Sequence, residues 1–180
     1  MNRIHILGAS GSGTSTLGAA LGKQLSIPHV DSDSIYWERT DPPFVSPREL
    51  AERHRMLGEL LPADGAWIFS GSAMKWGEPV EPFYDLVVFL QLDHDLRMER
   101  ILKREKKRYG ARIEEGGDMY VKSRVFLAWA KAYDTAGLGQ RSLAAHEAWL
   151  ERRNGPVLRL DSANPVDTLV SAVIDRIGRG

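Results

Sequence analysis

Short apolar runs alternate along the chain with longer stretches in which apolar residues recur every three or four positions. The runs lie near 3–7, 28–31, 66–70, 86–92 and 156–160, each bounded by Gly, Pro or charged residues, and they predict five strands. Helical periodicity covers about 14–26, 47–62, 94–109, 118–134, 140–153 and 165–178. Strands apolar on both faces and joined by crossover helices predict an α/β chain with a parallel sheet covered on two sides. Irregular stretches at 40–47, 71–82 and 110–117 are long enough to carry function or motion around such a core. No repeat or linker divides the 180 residues, which predict one domain.

Two helix starts carry cap chemistry. Asp93 ends the fourth run and is placed to cap the helix after it, while Asn164-Pro165 is placed to start the last helix. The run LVVFLQLD also looks like the strand-plus-acid of a Walker B element, but the helical pattern that begins right after Asp93 favours the cap.

Composition narrows the function classes. With 24 Lys+Arg against 24 Asp+Glu the net charge is zero, which excludes a generic nucleic-acid coat, since such binding rests on neutralising many phosphates. No cysteine means no disulfide, no thiol nucleophile and no zinc site of the cysteine type. The five histidines stand at no metal-ligand spacing. The N-terminal apolar run is too short for a secretory signal, and 86–90 is far short of a membrane span. These features predict a cytoplasmic protein, a monomer or homodimer, with no membrane partner. The zero charge is a cancellation: 97–112 holds eight basic residues against two acidic, and 31–52 holds six acidic against two basic.

The chemistry-bearing stretch is Gly8-Ala9-Ser10-Gly11-Ser12-Gly13-Thr14-Ser15-Thr16, between the first strand and the first helix. Gly8 and Gly13 have the spacing of the phosphate-binding pattern G-x-x-x-x-G-K-[ST]. Such a loop turns successive backbone N–H groups toward phosphate oxygens, the helix N-terminus adds its positive end, and the Ser15 hydroxyl is placed for Mg²⁺. Thr14 stands where the pattern has lysine. A ligand-free turn is a poor explanation, because three glycines weaken a helix start without packing return. A dinucleotide fold is the rival: Gly11-Ser12-Gly13 gives G-x-G, and Asp31 follows at the distance of a ribose-binding acid. Thr16 occupies its third glycine position and no Tyr has Lys at i+4, so phosphate binding is favoured.

The loop resembles that of small P-loop kinases of the nucleoside monophosphate kinase and shikimate kinase group, including their adenylate-kinase-like and topology-modulation-like relatives. The resemblance implies a three-layer α/β/α P-loop NTPase fold with five parallel strands in the order 2-3-1-4-5. It implies a core spanning 1–180, with an acceptor-binding insertion at about 33–64 and a lid at about 104–120. It further implies ATP or another NTP with Mg²⁺, and a nucleoside monophosphate or small hydroxyl compound as acceptor. On this pattern residues 8 and 10–16 bind the nucleotide, and Asn164 lies in a loop like the one that borders the adenine. Ser15 and Asp31 of Asp31-Ser32-Asp33 serve the metal, and Asp33 serves the acceptor hydroxyl, unless Asp33 only caps a helix at 34–39. Arg100, Arg104 and Arg108 form the helix face leading to the lid. Ser70-Gly71 stands where monophosphate kinases carry Asp-Gly, so one carboxylate is missing.

Three points stay open on the residues alone. Lys75 or a lid arginine could replace the absent lysine charge. Tyr36, Trp37 and Phe44 form either a stacking wall for a base or sugar, or core packing. The chain is either a phosphotransferase or a nucleotide-binding regulatory protein that lost transfer with its lysine. Phe126, Trp129 and Tyr133 at helical spacing read as packing rather than a cofactor box.

Overall fold

The computed structural model describes residues 2–178. Its strands are β1 (Arg3–Gly8), β2 (His29–Asp31), β3 (Trp67–Ser70), β4 (Leu86–Gln91) and β5 (Val157–Asp161). They form one parallel sheet in the order β2-β3-β1-β4-β5. A dinucleotide fold starts 3-2-1-4, so placing β3 between β2 and β1 removes that rival and gives the P-loop kinase order. The helices are α1 (Thr14–Leu25), α2 (Ser32–Tyr36), α3 (Leu50–Leu60), α4 (His94–Tyr109), α5 (Tyr120–Lys131), α6 (Leu143–Glu151) and α7 (Val166–Gly178).

The described chain divides into two compact units. One comprises residues up to 8, 13–91 and those from 154 on, and the other comprises 9–12 and 92–153. In the first, β1 explains why its strands read as apolar runs without alternation. Ile4 and Ile6 pack with Leu17 and Leu21 of α1 and with Leu169 and Val173 of α7. His5 is also buried, stacked between Phe69 and Tyr84 at 5.2 and 4.6 Å, with its Nδ1 3.1 Å from the Phe69 carbonyl. The strand is therefore covered on both faces. In the second unit the fully buried Arg97 of α4 donates to the Ala130 carbonyl at 2.8 Å and to Asp134 at 2.7 Å, fastening α4 to the end of α5.

Element ends follow side-chain chemistry. Asp93 caps α4 as expected, accepting from the N–H groups of Asp95 and Leu96. Asn164 does not cap α7. Its Nδ2 donates to the Asp161 carbonyl at 2.9 Å, and the Pro165 carbonyl accepts the first helical N–H groups. The 47–62 periodicity begins late, at Leu50, because Pro47 is held in a β-bridge to Trp37. The 118–134 period ends in a 3-10 turn at Ala132–Asp134, where Asp134 is bonded to Arg97 and His94.

Candidate functional site

In the glycine-rich loop the backbone does the shaping. Gly8 closes β1, and the Ser12 N–H returns to the Ala9 carbonyl at 3.1 Å. Gly11 and Gly13 have φ of +86° and +89°, the left-handed region that strains an L side chain. A Cβ on Gly11 would also lie 2.8 Å from the Arg97 carbonyl oxygen and from Ile101 Cγ1, so segment 9–12 rests directly on α4. Gly13 is the N-cap of α1: its carbonyl accepts the Leu17 N–H at 3.0 Å, no side chain caps the helix and its first turn has no acidic residue. Helix N–H groups left open this way suit an anion. Ser15 and Thr16 are exposed, Ser10 and Thr14 half-buried, and the Ser12 hydroxyl is buried without a partner among the described residues.

At the end of β2, Asp31 serves two neighbours. One carboxylate oxygen accepts the Asp33 N–H at 2.9 Å and caps α2; the other accepts the Ser70 hydroxyl at 3.4 Å. The cap here is therefore Asp31 on a helix from Ser32, not Asp33 on a helix from 34, and exposed Asp33 is left out of capping. Ser70 also lies 2.8 Å from His29 Nε2. Gly18 makes room for that ring, since a Cβ there would stand 2.4 Å from Nε2. Burial lowers the His29 pKa, opposed by the charge of Asp31, so the ring is neutral at pH 7. With the Ser70 proton on Asp31, Nε2–H donates to Ser70. Sequence reasoning missed His29. The signal was present, because 29 and 31 share a strand face and Asp31 pairs in register with Ser70.

Beyond Asp33, one helical turn on, lies Tyr36. The Arg53 guanidinium lies over its ring at 4.3 Å and 6.0 Å from the Trp76 ring, and its Nε donates to the Arg48 carbonyl at 2.6 Å. Among the described residues its two Nη nitrogens have no partner. The other arginines of this stretch differ. Arg48 is consumed by the Ile35 and Trp37 carbonyls and Glu38, and Arg55 by Glu52 and Glu59. Tyr36, Trp37 and Phe44, all half-buried, meet edge to face at 4.8 and 6.2 Å, and of the three Tyr36 also stacks on Arg53. Lys75 is exposed in the turn after β3, with φ +69°.

On α4, Arg104 Nη2 donates to the Ser10 hydroxyl at 3.3 Å, and its guanidinium lies 5.8 Å from the Phe126 ring. Buried Glu105 forms ion pairs with Arg104 at 3.8 Å and Arg108 at 3.7 Å. Burial raises the Glu105 pKa against the pull of those two arginines. Arg100, half-buried like Arg104, lies on the same helix face as the two arginines by spacing. The basic count of the segment overstates its free charge, because Arg97 is committed to Asp134 and Arg112 to Asp118 at 2.6 Å. Phe126 packs near Trp129 at 5.9 Å, and buried Tyr133 has its hydroxyl 2.7 Å from His146 Nδ1, as a packing role requires.

Among the described residues no group of three or more His, Cys, Asp or Glu is placed to hold a metal, and no helix is long and apolar enough to cross a membrane. Comparison with known proteins gives four anchors. A family model described as AAA domain matches residues 4–120. The uncharacterized protein YqaC of Bacillus subtilis (strain 168) is 45% identical over 172 residues, covering 96% of this chain and 95% of that one. A cytidylate kinase of Pyrobaculum islandicum is 25% identical over 122 residues, covering 62% and 65% of the two chains. In fold, shikimate kinase from Bacteroides thetaiotaomicron superimposes with a TM-score of 0.58 over 98% of both chains at 18% identity.

Proposed function

From the premise that this chain belongs to the AAA domain family and has the fold of P-loop small-molecule kinases, we propose that it transfers the γ-phosphate of Mg·ATP to a small acceptor. The observation that carries this reading is the pair of left-handed glycines leading into an uncapped helix, with Asp31 and Asp33 at the ends of β2 and α2 on the same sheet edge. Loop amides would hold the β-phosphate. The Ser15 hydroxyl and the Asp31 carboxylate are hard oxygen donors of the kind Mg²⁺ takes beside nucleotide phosphates. Bound there, the ion would neutralise charge on the phosphates.

Asp33 would accept the proton of the acceptor hydroxyl as its oxygen bonds to the γ-phosphorus. The bond from that phosphorus to the bridging oxygen breaks, and ADP leaves with the electron pair. Arg100, Arg104 and Arg108 would screen the charge on the transferring group. Segments 33–64 and 104–120 would serve as acceptor site and lid. Arg53 supports a finer reading: a guanidinium held by rings and by one carbonyl, with its Nη edge open, fits an acceptor bearing a phosphate or carboxylate. Asn164, bonded to Asp161 beyond β5, would border the base.

Thr14 favours a second reading, a nucleotide-binding regulatory protein without transfer. Turnover of Mg·ATP measured across nucleoside monophosphates, sugar acids and neutral alcohols separates the two. Acceptor-dependent ADP release supports the kinase. Tight ATP binding with no acceptor dependence supports the regulator.

A further inference from the structure

Asp31 owes its orientation to a chain of contacts that begins on α1. Gly18 and Gly22 stand one turn apart on that helix and open a groove for the His29 ring of β2. A Cβ on Gly18 would lie 2.4 Å from Nε2, and one on Gly22 would lie 3.1 Å from the His29 Cβ. Glycine weakens a helix interior, and the return for this pair is the place of the ring. Nε2 lies 2.8 Å from the Ser70 hydroxyl, which lies 3.4 Å from one Asp31 oxygen. The other Asp31 oxygen accepts the Asp33 N–H at 2.9 Å.

A hydroxyl has one proton, and two acceptors compete for that of Ser70. The charged carboxylate takes it in a charge-assisted bond, which leaves the Ser70 oxygen to accept from the ring. We propose that His29 and Ser70 are positioning residues for Mg²⁺: the ring in its Nε2–H form turns the Ser70 hydroxyl onto Asp31 and so fixes that carboxylate for the ion. The inference rests on the metal-binding reading of Asp31 above and adds two residues to it. Each Asp31 oxygen keeps a second lone pair, so the two bonds orient the group without filling it. Ser15, the hydroxyl given to the same ion, stands one turn before Gly18, so the ring also ties β2 to the helix that carries Ser15. Ser, His and Asp also make hydrolytic triads, but there the histidine joins the other two. Here serine is the middle member and is fully buried, so it orients and does not attack.

The test has two arms, both on the full chain. Nitrogen NMR of isotope-labelled imidazoles reads the His29 tautomer in native protein, with the signal identified by its loss in His29→Gln. Isothermal titration with ATP, in Mg²⁺ and in EDTA, reads the gain in affinity that the ion supplies. It compares native protein with Ser70→Ala, His29→Phe, His29→Gln and Asp31→Asn. We expect the Nε2–H tautomer, and a Mg²⁺ gain cut about tenfold in Ser70→Ala and His29→Phe, with affinity in EDTA changed by less than about threefold. His29→Gln, whose amide supplies an N–H in the place of Nε2–H, should recover most of the gain. An Nδ1–H tautomer means that Ser70 donates to the ring, and it overturns the proposal. Equal losses with and without Mg²⁺ mean a structural role, and an unchanged Mg²⁺ gain in Ser70→Ala means that Asp31 needs no positioning; either overturns it as well. Native protein indifferent to Mg²⁺, or a gain that Asp31→Asn leaves intact, overturns the metal reading of Asp31 and this inference with it, a result separable from the others.

Discussion

On the proposed function, the loop at 8–16 and the stretch at 31–60 would offer charge to phosphate-bearing ligands by opposite means. In the loop the proposed recognising groups are backbone N–H groups, shaped by glycines whose left-handed φ values strain other residues. In the acceptor stretch they are side chains fixed by other side chains: Asp31 by Ser70 and its own helix, Arg53 by Tyr36, Trp76 and a carbonyl. A backbone site fails when its geometry is disturbed and tolerates chemical change in its side chains. A side-chain site keeps its fold when one donor is removed and loses one step of function. The difference makes the two regions separable by mutation.

The largest effect is expected where chemistry rests on one exposed group. Asp33→Asn keeps the α2 cap, which belongs to Asp31, and should lower kcat by about 10²- to 10⁴-fold with little change in ATP affinity. An unchanged kcat would remove Asp33 from proton transfer. Gly11→Ala should act in the opposite manner, through structure. It combines a left-handed φ with a Cβ 2.8 Å from a carbonyl oxygen, costing on the order of 2 kcal/mol or more, visible as a lower Tm together with lost nucleotide binding. A stable variant that binds ATP normally would contradict the docking of this segment on α4.

Arg53→Ala tests the acceptor side more finely. KM for an anionic acceptor should rise about 10- to 100-fold, with ATP affinity kept, and Arg53→Lys should recover little because a planar fork is lost. Equal effects on charged and neutral acceptors would argue that Arg53 only packs. The smallest effect belongs to Glu105. Burial raises its pKa in the fold, so the folded protein binds its proton more tightly than the unfolded chain does. Stability from this group is greatest below the ordinary carboxylate value and declines as pH rises toward the raised one. Glu105→Gln should flatten that decline in Tm; a decline of unchanged slope would place the pH dependence elsewhere.

The same contrast explains what could be read from the sequence. Strand runs and the phosphate loop are local patterns, each written in consecutive residues, and the strand order that the kinase resemblance implies is the one the fold has. Asp93 is legible as a cap because a cap acts on its own helix. Asp33 and Asn164 read as cap candidates for helices they do not cap, since either of two acids two residues apart can cap a short helix, and a side-chain amide can turn back to Asp161 as readily as forward. The His29–Ser70–Asp31 chain, the Arg53 stack and the Arg104–Ser10 bond join residues 39 to 94 positions apart or rings from separate elements. No spacing rule reports such contacts, so the charge counts showed only that a basic and an acidic segment exist.

The central claim is transfer, and phosphorus NMR of the full chain with Mg·ATP and a panel of phosphate- or carboxylate-bearing hydroxyl compounds tests it most directly. The account predicts a new phosphoester or phosphoanhydride resonance that grows in step with ADP for at least one acceptor and is lost in Asp33→Asn. ADP accompanied only by inorganic phosphate, or ATP left intact with every acceptor, would contradict it.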